Sequence, residues 1–248
     1  MTGWIDLNAD LGEGMDHDAE IMAVVTSCNI ACGGHAGDTN TMQVALTFAK
    51  AQRVAAGAHP SYPDREGFGR RKVDISIPDL KAALTSQIEA LTTHADQIGI
   101  PITHLKPHGA LYNEAASDLR LANLIAELTG TLLPRPRLFG PPGSALETAA
   151  FDRNIPYLSE GFADRAYTED GHLVPRDRPG AVLETGAARI AQALSIATTQ
   201  TVTSIDGKQI PLPVQTLCLH GDSPGALSSA RAIRAALEVA GINVRAPQ

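Results

Sequence analysis

The sequence predicts an α/β fold, a distorted (β/α) TIM-like barrel with about seven parallel strands. Two observations lead to this class: short apolar runs alternate with helix-like segments along the whole chain, and polar residues follow many of these runs. The 248 residues and 44% hydrophobic content suffice for one sizeable core, and no linker-like segment interrupts the alternation. We therefore expect residues 1–248 to form a single (β/α) barrel domain.

The strand-like run comes first in each unit. In chain order these runs are WIDLNAD, SCNIAC, RVAAGA, PITHLK, PRLFG, IPYLSEGF and VQTLCLH. The segments that follow them predict helices at 16–27, 40–53, 77–99, 117–129, 143–153, 185–199 and 224–240. The third helix has the clearest limits, because Pro78 suits a first helical turn and Gly99 followed by Pro101 suits a stop.

An open, doubly wound sheet is the alternative architecture for such an alternation. An open sheet concentrates its ligand-binding residues at a switch point, whereas a barrel collects all its strand ends at one mouth. Polar and ionisable residues that could form a site follow many different strand-like runs of this sequence. We therefore favour a closed or nearly closed barrel.

The composition limits where the protein works and what it binds. The formal net charge of −7 argues against nucleic acid as a partner. The three cysteines form no CxxC pair, which is typical of reduced cytosolic thiols. The first residues lack a basic-then-apolar leader, and no run approaches the length of a membrane helix. We expect a cytoplasmic protein that binds neither nucleic acid nor a membrane.

Four of the eight histidines stand where an apolar run stops, namely His35, His59, His108 and His220. Glycine or proline follows each of them within two residues, so each lies at the start of a shaped loop. A single histidine in such a place is usually structural, and the four could merely cap loops. Their equivalent positions favour catalysis instead, because catalytic side chains of a parallel barrel meet at its strand ends.

Carboxylates accompany these histidines. Asp6, Asn8 and Asp10 alternate along the first strand, so their side chains share its interior face. For Asp6, a structural role in a buried hydrogen-bonded network and a catalytic role are equally good interpretations. Asp10 and Glu13 lie closer to the mouth and are the better candidates. Four further carboxylates lie in the second, third, sixth and seventh loops: Asp38, Asp64, Asp164 and Asp222.

Three cations complete the candidate set. Lys106 lies two residues before His108 and can bind an anion or activate a carbonyl. Arg65 and Arg165 offer guanidinium groups that clamp carboxylates, with loop bracing as the alternative for either. We expect Lys106→Met to reduce turnover far more than stability, because methionine keeps the packing of the stem and loses the charge.

Other chemistries have weaker support in the sequence. Histidines and aspartates at a barrel mouth can hold a metal ion, but HExxH is absent, so we assign no metal ligand and leave the metal open. The turns FGPPGSAL and ACGGHAGD lack the GxxxxGK[ST] order of an autonomous ATP site. No GxSxG elbow is present, and Cys28 and Cys218 are expected in the core.

Seven segments together resemble the LamB/YcsF family: DLNADLGEG, SCNIACGGHAGD, GAHPSYPDREGFGRR, LKPHGALYN, GFADRAYTEDGHLVPR, RPGAVL and CLHGDSPGA. They run from Asp6 to Ala226 in family order. The resemblance implies a distorted barrel related to polysaccharide deacetylases and some glycosidases. It also implies a subunit of an ATP-dependent 5-oxoprolinase, which converts 5-oxo-L-proline to L-glutamate together with 5-oxoprolinase subunits B and C. ATP would be the co-substrate, bound with these partner subunits.

This function assigns a role to each candidate residue. The catalytic set is Asp10, His35, His59, Lys106, His108, His220 and Asp222, and the substrate-binding set is Glu13, Asp38, Asp64, Arg65, Asp164 and Arg165. As a hypothesis, Lys106 and Arg165 hold the substrate carboxylate or phosphate, while His59 and His108 exchange protons. Two alternatives stay open: a metal-dependent carbohydrate deacetylase or glycosidase-like hydrolase, and a non-catalytic subunit of the complex.

Overall fold

The computed structural model describes residues 3–15, 17–132, 136–220 and 225–247, with His220 described by its backbone alone. The strands, in chain order, are β1 (Trp4–Leu11), β2 (Ser27–Ala31), β3 (Ala55–His59), β4 (Ile102–Leu105), β5 (Arg137–Gly140), β6 (Tyr157–Phe162), β7 (Thr201–Thr203), β8 (Gln209–Pro211), β9 (Thr216–His220) and β10 (Asn243–Val244). The helices are α1 (Asp18–Met22), α2 (Thr39–Gln52), α3 (Ile77–Ile98), α4 (Gly109–Ala115), α5 (Leu119–Thr129), α6 (Ala145–Asp152), α7 (Gly186–Thr199) and α8 (Ala226–Val239).

Seven parallel strands close into a barrel. The strands β1 to β6 pair in chain order, β9 pairs with β6, and β1 pairs with β9 to complete the ring. The closing register places Asn8 opposite Cys218 and Asp10 opposite His220. The predicted TIM-like barrel is therefore confirmed, and the open sheet is wrong for the described residues.

Local sequence signals explain where the helices begin and end. Asp38 caps α2 by accepting from the backbone N–H of Thr41 at 2.9 Å, and the Thr41 hydroxyl accepts from the Asp38 N–H in return. Ser76 caps α3, and Gly99 ends it in the left-handed conformation at φ 73°, as the sequence predicts. None of the helices in the described part of the chain combines the length and apolar character that a membrane span requires.

The barrel interior is polar, whereas the layer between strands and helices is apolar. Buried leucine, isoleucine, valine and alanine side chains fill that outer layer. Inside the ring, Gly57 leaves room for the His104 ring, because a Cβ at position 57 would lie only 2.1 Å from Nε2 of His104. The ring of His104 then stacks on Phe139 with a centroid separation of 4.2 Å. These polar interior groups lie directly beneath the C-terminal mouth.

Three elements of the structure are not predicted from the sequence. The short helix α4 begins directly after His108, where the sequence suggests only a loop. The antiparallel hairpin of β7 and β8 follows α7, and β10 pairs with the first residues of β1. These elements are two to seven residues long, which is too short for a reliable periodic pattern.

Candidate active site

Side chains from several strands meet at the C-terminal mouth of the barrel. Asp10 lies on β1, His59 ends β3, Lys106 follows β4, Glu160 lies on β6 and Cys218 lies on β9. All of these side chains are buried. In a parallel barrel the C-terminal strand ends lie on one side, which brings residues distant in sequence into direct contact.

Lys106 lies at the centre of a buried ion cluster. Its Nζ lies 3.0 Å from Asp10 Oδ1 and 2.9 Å from Glu160 Oε1, and it also donates to Cys218 Sγ at 3.1 Å and Asn8 Oδ1 at 3.4 Å. Burial alone lowers the pKa of Lys106, but the negative charges of Asp10 and Glu160 raise it well above its ordinary range. Lys106 therefore stays protonated and holds two buried carboxylates in place.

Amide side chains extend this cluster into the barrel. Asn29 Nδ2 donates to Asp10 Oδ1 and to Asn8 Oδ1, both at 2.8 Å. His104 Nε2 lies 2.9 Å from Asn29 Oδ1. Burial and, to a smaller extent, the charge of Lys106 together lower the pKa of His104 to about 3, so His104 is a neutral ring that donates to the amide oxygen. The position of Asp10 is thus fixed from below by hydrogen bonds.

Asp6 belongs to the floor of this network and takes no part in the mouth. Its carboxylate accepts hydrogen bonds from the hydroxyls of Thr26 at 2.6 Å, Ser27 at 2.7 Å and Thr216 at 2.6 Å. Asn8 Nδ2 in turn donates to the Thr216 hydroxyl at 2.7 Å. These contacts support the structural alternative for Asp6, a buried network that braces the strands.

His59 and His108 form a close pair above Asp10. The distance from His59 Nε2 to His108 Nδ1 is 2.9 Å, and His59 Nε2 lies 3.4 Å from Asp10 Oδ2. The other nitrogen of each ring faces a backbone carbonyl, Lys106 O at 2.8 Å for His59 and Phe68 O at 2.9 Å for His108. Burial lowers the pKa of His108 well below its ordinary range, and the neighbouring histidines add to this effect.

His35 and Glu13 complete the group of histidines. The rings of His35 and His108 stack with 3.6 Å between centroids and 2° between planes. His35 Nε2 lies 3.0 Å from Glu13 Oε1, and His108 Nδ1 lies 3.6 Å from the same oxygen. Burial lowers the pKa of His35, although its contact with Glu13 acts in the opposite direction. Three strand-end histidines and one carboxylate therefore share a single buried site.

The glycine-rich loop 57–71 folds over this site and orients His108. Phe68 has φ 53° and Gly69 has φ 62°, both in the left-handed region. A bulky residue rarely adopts such a conformation, and strain of this kind concentrates at functional sites. Here it turns the Phe68 carbonyl toward His108 and packs the Phe68 ring edge-on against His35 and His108.

A cavity of about 960 Å³ opens above the buried cluster. Its floor includes Asp10, Glu13, His59, Lys106, His108 and Glu160. Its walls carry the exposed arginines Arg70, Arg71 and Arg176. The cavity thus combines acids, bases and positive charge, and its volume lies at the upper end of the range of about 300–1,000 Å³ for small-molecule sites.

Two buried polar atoms at this cavity make no hydrogen bond of normal geometry within the described residues. They are Glu160 Oε2 and the Tyr112 hydroxyl, and both residues line the cavity. Burial raises the pKa of Tyr112 well above its ordinary range, and the charge of Glu160 contributes. Tyr112 therefore remains a neutral donor that interacts with the Glu160 carboxylate at the edge of the cavity.

The predicted convergence of His35, His59, His108, Asp10 and Lys106 is confirmed by these distances. The backbone of His220 ends β9 opposite Asp10, whereas its side chain lies outside the described residues. Asp222 also lies outside the described residues.

The acidic and basic residues of the second and third loops have mainly structural contacts. Exposed Asp38 caps α2, and Asp64 Oδ1 accepts from the backbone N–H of Gly67 at 2.8 Å. Arg65 donates to the carbonyls of Gly33 at 3.0 Å and Gly37 at 2.9 Å. Asp38 and Arg65 border a second cavity of about 300 Å³ beside His35. Their contacts support loop and helix bracing. Arg65 borders the second cavity together with Glu13 and His35, whereas Asp64 is not among the described residues that line either cavity.

The sixth loop gives a similar result. Arg165 lines the main cavity, but its guanidinium donates to the carbonyls of Val174 at 2.6 Å and Ala181 at 3.3 Å. Burial and, to a smaller extent, the charge of neighbouring Arg176 together lower the pKa of Arg165 to about 10. Asp164 is buried beside it and is not among the described residues that line the cavity. The geometry favours loop bracing over anion binding for Arg165.

Sequence reasoning missed Glu160, Asn29, His104 and Tyr112. Glu160 could have been predicted as a site residue, because an acid inside the apolar run IPYLSEGF is stable only beside a buried cation or hydrogen-bond donor. Asn29 shows the same signal inside SCNIAC. Tyr112 lies on the unpredicted helix α4, so no periodic pattern placed it at the mouth.

Comparison with known proteins agrees with this architecture. The sequence model of the LamB/YcsF family matches residues 5–248. A protein of Symbiobacterium thermophilum, named as the A subunit of 5-oxoprolinase, is 44% identical over 98% of this chain and 95% of its own length. A protein of the same name from Methylococcus capsulatus is 46% identical over 99% of this chain and 96% of its own length.

A solved structure extends the likeness to three dimensions. The crystal structure of the Lactam Utilization Protein from Thermus thermophilus matches with a TM-score of 0.91 and 39% identity. The match covers 98% of this chain and 100% of that one. Sequence and fold together show that this chain belongs to the LamB/YcsF family.

Proposed function

We propose that this chain is a subunit of an ATP-dependent 5-oxoprolinase that opens 5-oxo-L-proline to L-glutamate. The names of the two relatives and of the solved structure support a lactam substrate. The relatives are named as one lettered subunit of an enzyme, which supports the existence of partners, and we propose that these are 5-oxoprolinase subunits B and C. ATP is the co-substrate in this proposal, and it binds together with those partners.

The observation that carries the proposal is the combination of groups around one cavity. Proton-transferring side chains lie on the floor, and arginines that can bind an anion lie in the walls. A 5-oxoproline molecule carries one carboxylate, one carbonyl oxygen and one ring N–H. The arginines suit the carboxylate, while Glu160 and Tyr112 offer an acceptor and a donor to the amide.

The chemistry requires activation because the lactam amide is stabilised by resonance. Transfer of a phosphoryl group from ATP to the carbonyl oxygen gives ADP and an electrophilic carbon. Water then adds to that carbon, and the ring C–N bond breaks while the nitrogen takes up a proton. A second water hydrolyses the resulting acyl phosphate to glutamate and phosphate. These steps need an anion cradle, a base for water and an acid for nitrogen.

The contacts of this chain suggest which groups meet these needs. His59 and His108 lie at the cavity floor and are suited to take a proton from water and return one to nitrogen. Asp10 lies 3.4 Å from His59 Nε2, where its charge stabilises the ring once that nitrogen has taken up a proton, and Lys106 holds Asp10. We therefore propose that Lys106 is a positioning residue. Arg70, Arg71 and Arg176 replace Lys106 and Arg165 as the proposed anion cradle.

The size of the cavity bears on the role of the partners. A cavity of about 960 Å³ exceeds the needs of a five-membered ring, and the sequence lacks an autonomous ATP-binding loop. We propose that the companion subunits cover the mouth, so that an activated intermediate reaches the histidines without meeting bulk water.

The experiment compares this chain alone, subunits B and C without it, and the full mixture. Glutamate and ADP are measured in parallel, with and without ATP. We expect glutamate formation coupled to ATP consumption only in the full mixture with ATP. Brisk ATP-independent turnover by this chain alone would contradict the dependence on partners, and an inactive full mixture would contradict the proposed substrate.

A metal-dependent carbohydrate deacetylase or glycosidase-like hydrolase is the second candidate function. The observation that favours it is the clustering of Glu13 with His35, His59 and His108. Release of acetate or reducing sugar by this chain alone, without ATP, would support this alternative over lactam opening.

A further inference from the structure

We propose that Glu13, His35, His59 and His108 bind a divalent transition-metal ion at the barrel mouth. One side-chain atom of each residue takes part, and these four atoms lie within 4.8 Å of one another. The inference concerns this chain by itself and stands whether or not the lactam is the substrate.

The first argument is the tautomeric state of His59 and His108. A backbone carbonyl only accepts hydrogen bonds, so His59 Nδ1, 2.8 Å from Lys106 O, must carry a hydrogen. His108 Nε2 must carry one for the same reason, since it lies 2.9 Å from Phe68 O. In a neutral imidazole the other nitrogen then carries a lone pair.

These two lone pairs face each other. His59 Nε2 and His108 Nδ1 are separated by 2.9 Å, a distance at which two acceptors repel unless a positive charge lies beside them. The charge could be a proton shared by the two rings or a metal ion bound by both. A shared proton would involve only these two rings, whereas an ion would also contact His35 and Glu13, whose ligand atoms lie in the same cluster. A bound cation resolves the repulsion while both rings stay neutral.

The second argument is the set of groups around the pair. Glu13 Oε1 lies 3.6 Å from His108 Nδ1 and 3.0 Å from His35 Nε2. Ligand atoms of a tetrahedral site with bonds of about 2.0–2.2 Å are about 3.3–3.6 Å apart. The contacts of 2.9, 3.0 and 3.6 Å in this cluster bracket that separation, so small side-chain shifts would produce a coordination sphere.

The third argument comes from the groups behind the ligands. Histidines that bind metals usually donate their other N–H to a carbonyl or carboxylate, which fixes the ring. The Lys106 and Phe68 carbonyls occupy these positions behind His59 and His108. The left-handed backbone conformation of Phe68 orients the Phe68 carbonyl toward His108 and thereby fixes that ring. Three imidazoles and one carboxylate suit Zn²⁺ or a neighbouring first-row ion.

The position also gives the ion a path to substrate. Glu13 borders both cavities, while His59 and His108 border the larger one. With the ion bound, His59 and His108 would act as ligands instead of transferring protons, and an ion that expands to five-coordinate would supply a water of lowered pKa at the cavity floor, a role that rests on the proposed function.

The test uses untagged, chelator-treated protein and Zn²⁺ in a calorimetric titration. We expect one high-affinity site per chain in the wild type. Glu13→Gln and His108→Ala should weaken that binding by more than about 100-fold, beyond the loss typical of outer-shell substitutions. His172→Ala is the matched control, since His172 is an exposed histidine of the same cavity and should bind as tightly as the wild type.

A second measurement covers variants that fail to fold. Co²⁺ added to the wild type should give the visible absorption of a four-coordinate ion with imidazole ligands, and Zn²⁺ should compete it away. Circular dichroism identifies unfolded variants. A wild type that binds neither ion stoichiometrically, or folded Glu13→Gln and His108→Ala variants that bind like the wild type, would overturn the inference. Because no substrate is present, failure here is distinct from failure of the lactam assay.

Discussion

At the scale of single residues, Asp6 shows how burial changes a carboxylate. Three hydroxyl groups donate to it, which stabilises its charged form. Its complete burial is the larger effect and, with a smaller contribution from the charge of Glu160, raises the pKa from 3.8 to about 6 despite these hydrogen bonds. The folded protein therefore binds a proton at Asp6 between about pH 4 and pH 6 that the unfolded chain does not bind.

This shift predicts an unusual pH dependence for one substitution. Because the folded state holds the extra proton, the free energy of unfolding should fall as pH rises from about 4 to about 6. Asp6→Asn removes the titration, so the stability of the wild type relative to this variant should fall by about 3 kcal/mol over that window. Urea unfolding of both proteins across this range gives the measurement.

A control isolates the contribution of burial. Asp206→Asn removes an exposed carboxylate between β7 and β8. Its stability profile should run parallel to that of the wild type. If the Asp6→Asn profile were parallel as well, the proposed protonation of buried Asp6 would be wrong.

The sequence led us to expect that Lys106→Met reduces turnover far more than stability, and the burial of Lys106 changes this expectation. An exposed or half-buried lysine could lose its charge at little cost to stability. Lys106 is only 2% exposed and forms ion pairs with both Asp10 and Glu160. Removal of one partner from a buried ion pair costs about 3–5 kcal/mol, because the remaining charge has no compensation. The structure therefore leads us to expect a loss of stability in addition to the loss of turnover.

We therefore predict that Lys106→Met lowers the free energy of unfolding by about 3–5 kcal/mol. Glu160→Gln should destabilise the wild type but stabilise the Lys106→Met protein, because it removes a carboxylate that has lost its counterion. Urea unfolding of the four proteins completes the double-mutant cycle. The same sign for Glu160→Gln in both backgrounds would show that the ion pair does not govern stability.

At the scale of elements, loop 57–71 packs against the histidines of the site and positions their rings. The sequence predicts a shaped loop rich in ionisable groups, and the structure shows that its backbone is as important as its charges. Gly69 packs against the histidines so closely that a Cβ would lie 2.9 Å from His35 Cβ and 3.0 Å from His108 Cδ2. The loop therefore fixes the spacing of the stacked rings.

We predict that Gly69→Ala displaces the rings of His35 and His108, an effect that left-handed backbone strain alone would not produce. Gly143→Ala is the matched control, since Gly143 has φ 70° against 62° for Gly69, and a Cβ added at Gly143 would meet no described atom within 4 Å. Left-handed strain should cost each variant about 1–2 kcal/mol. Only Gly69→Ala should also shift the His35 and His108 resonances in NMR spectra. Equal spectra for the two variants would contradict the packing role of the loop.

At the scale of the whole molecule, the order of strands and helices was largely predictable. Alternating apolar runs and helical segments indicate βα units, and a parallel sheet brings their polar C-terminal residues together. That logic correctly grouped His35, His59 and His108 with Asp10 and Lys106. It could not identify which carboxylate Lys106 contacts, because Glu160 lies 54 residues away in sequence and approaches only when β6 and β4 curve around the closed barrel.

The same limit applies to the loop residues. Asp38, Asp64 and Arg65 follow strands as active-site residues do, but each has backbone contacts that brace a helix or a loop, and none of them is among the described residues that line the main cavity. A strand-end position shows that a residue starts near the mouth. The course of the loop decides whether the side chain enters it.

The central claim is that the cluster of histidines and carboxylates at the mouth carries out lactam opening. The most direct test is ATP-dependent glutamate release by the complex reassembled with His59→Gln or with His172→Gln as the control. We expect at least a 100-fold loss, roughly the smallest effect of a missing acid–base group, for His59→Gln and nearly full activity for His172→Gln. Circular dichroism and co-purification with the partners confirm folding and assembly. A folded, assembled His59→Gln complex that turns over like the wild type would contradict the claim and make this chain a non-catalytic subunit.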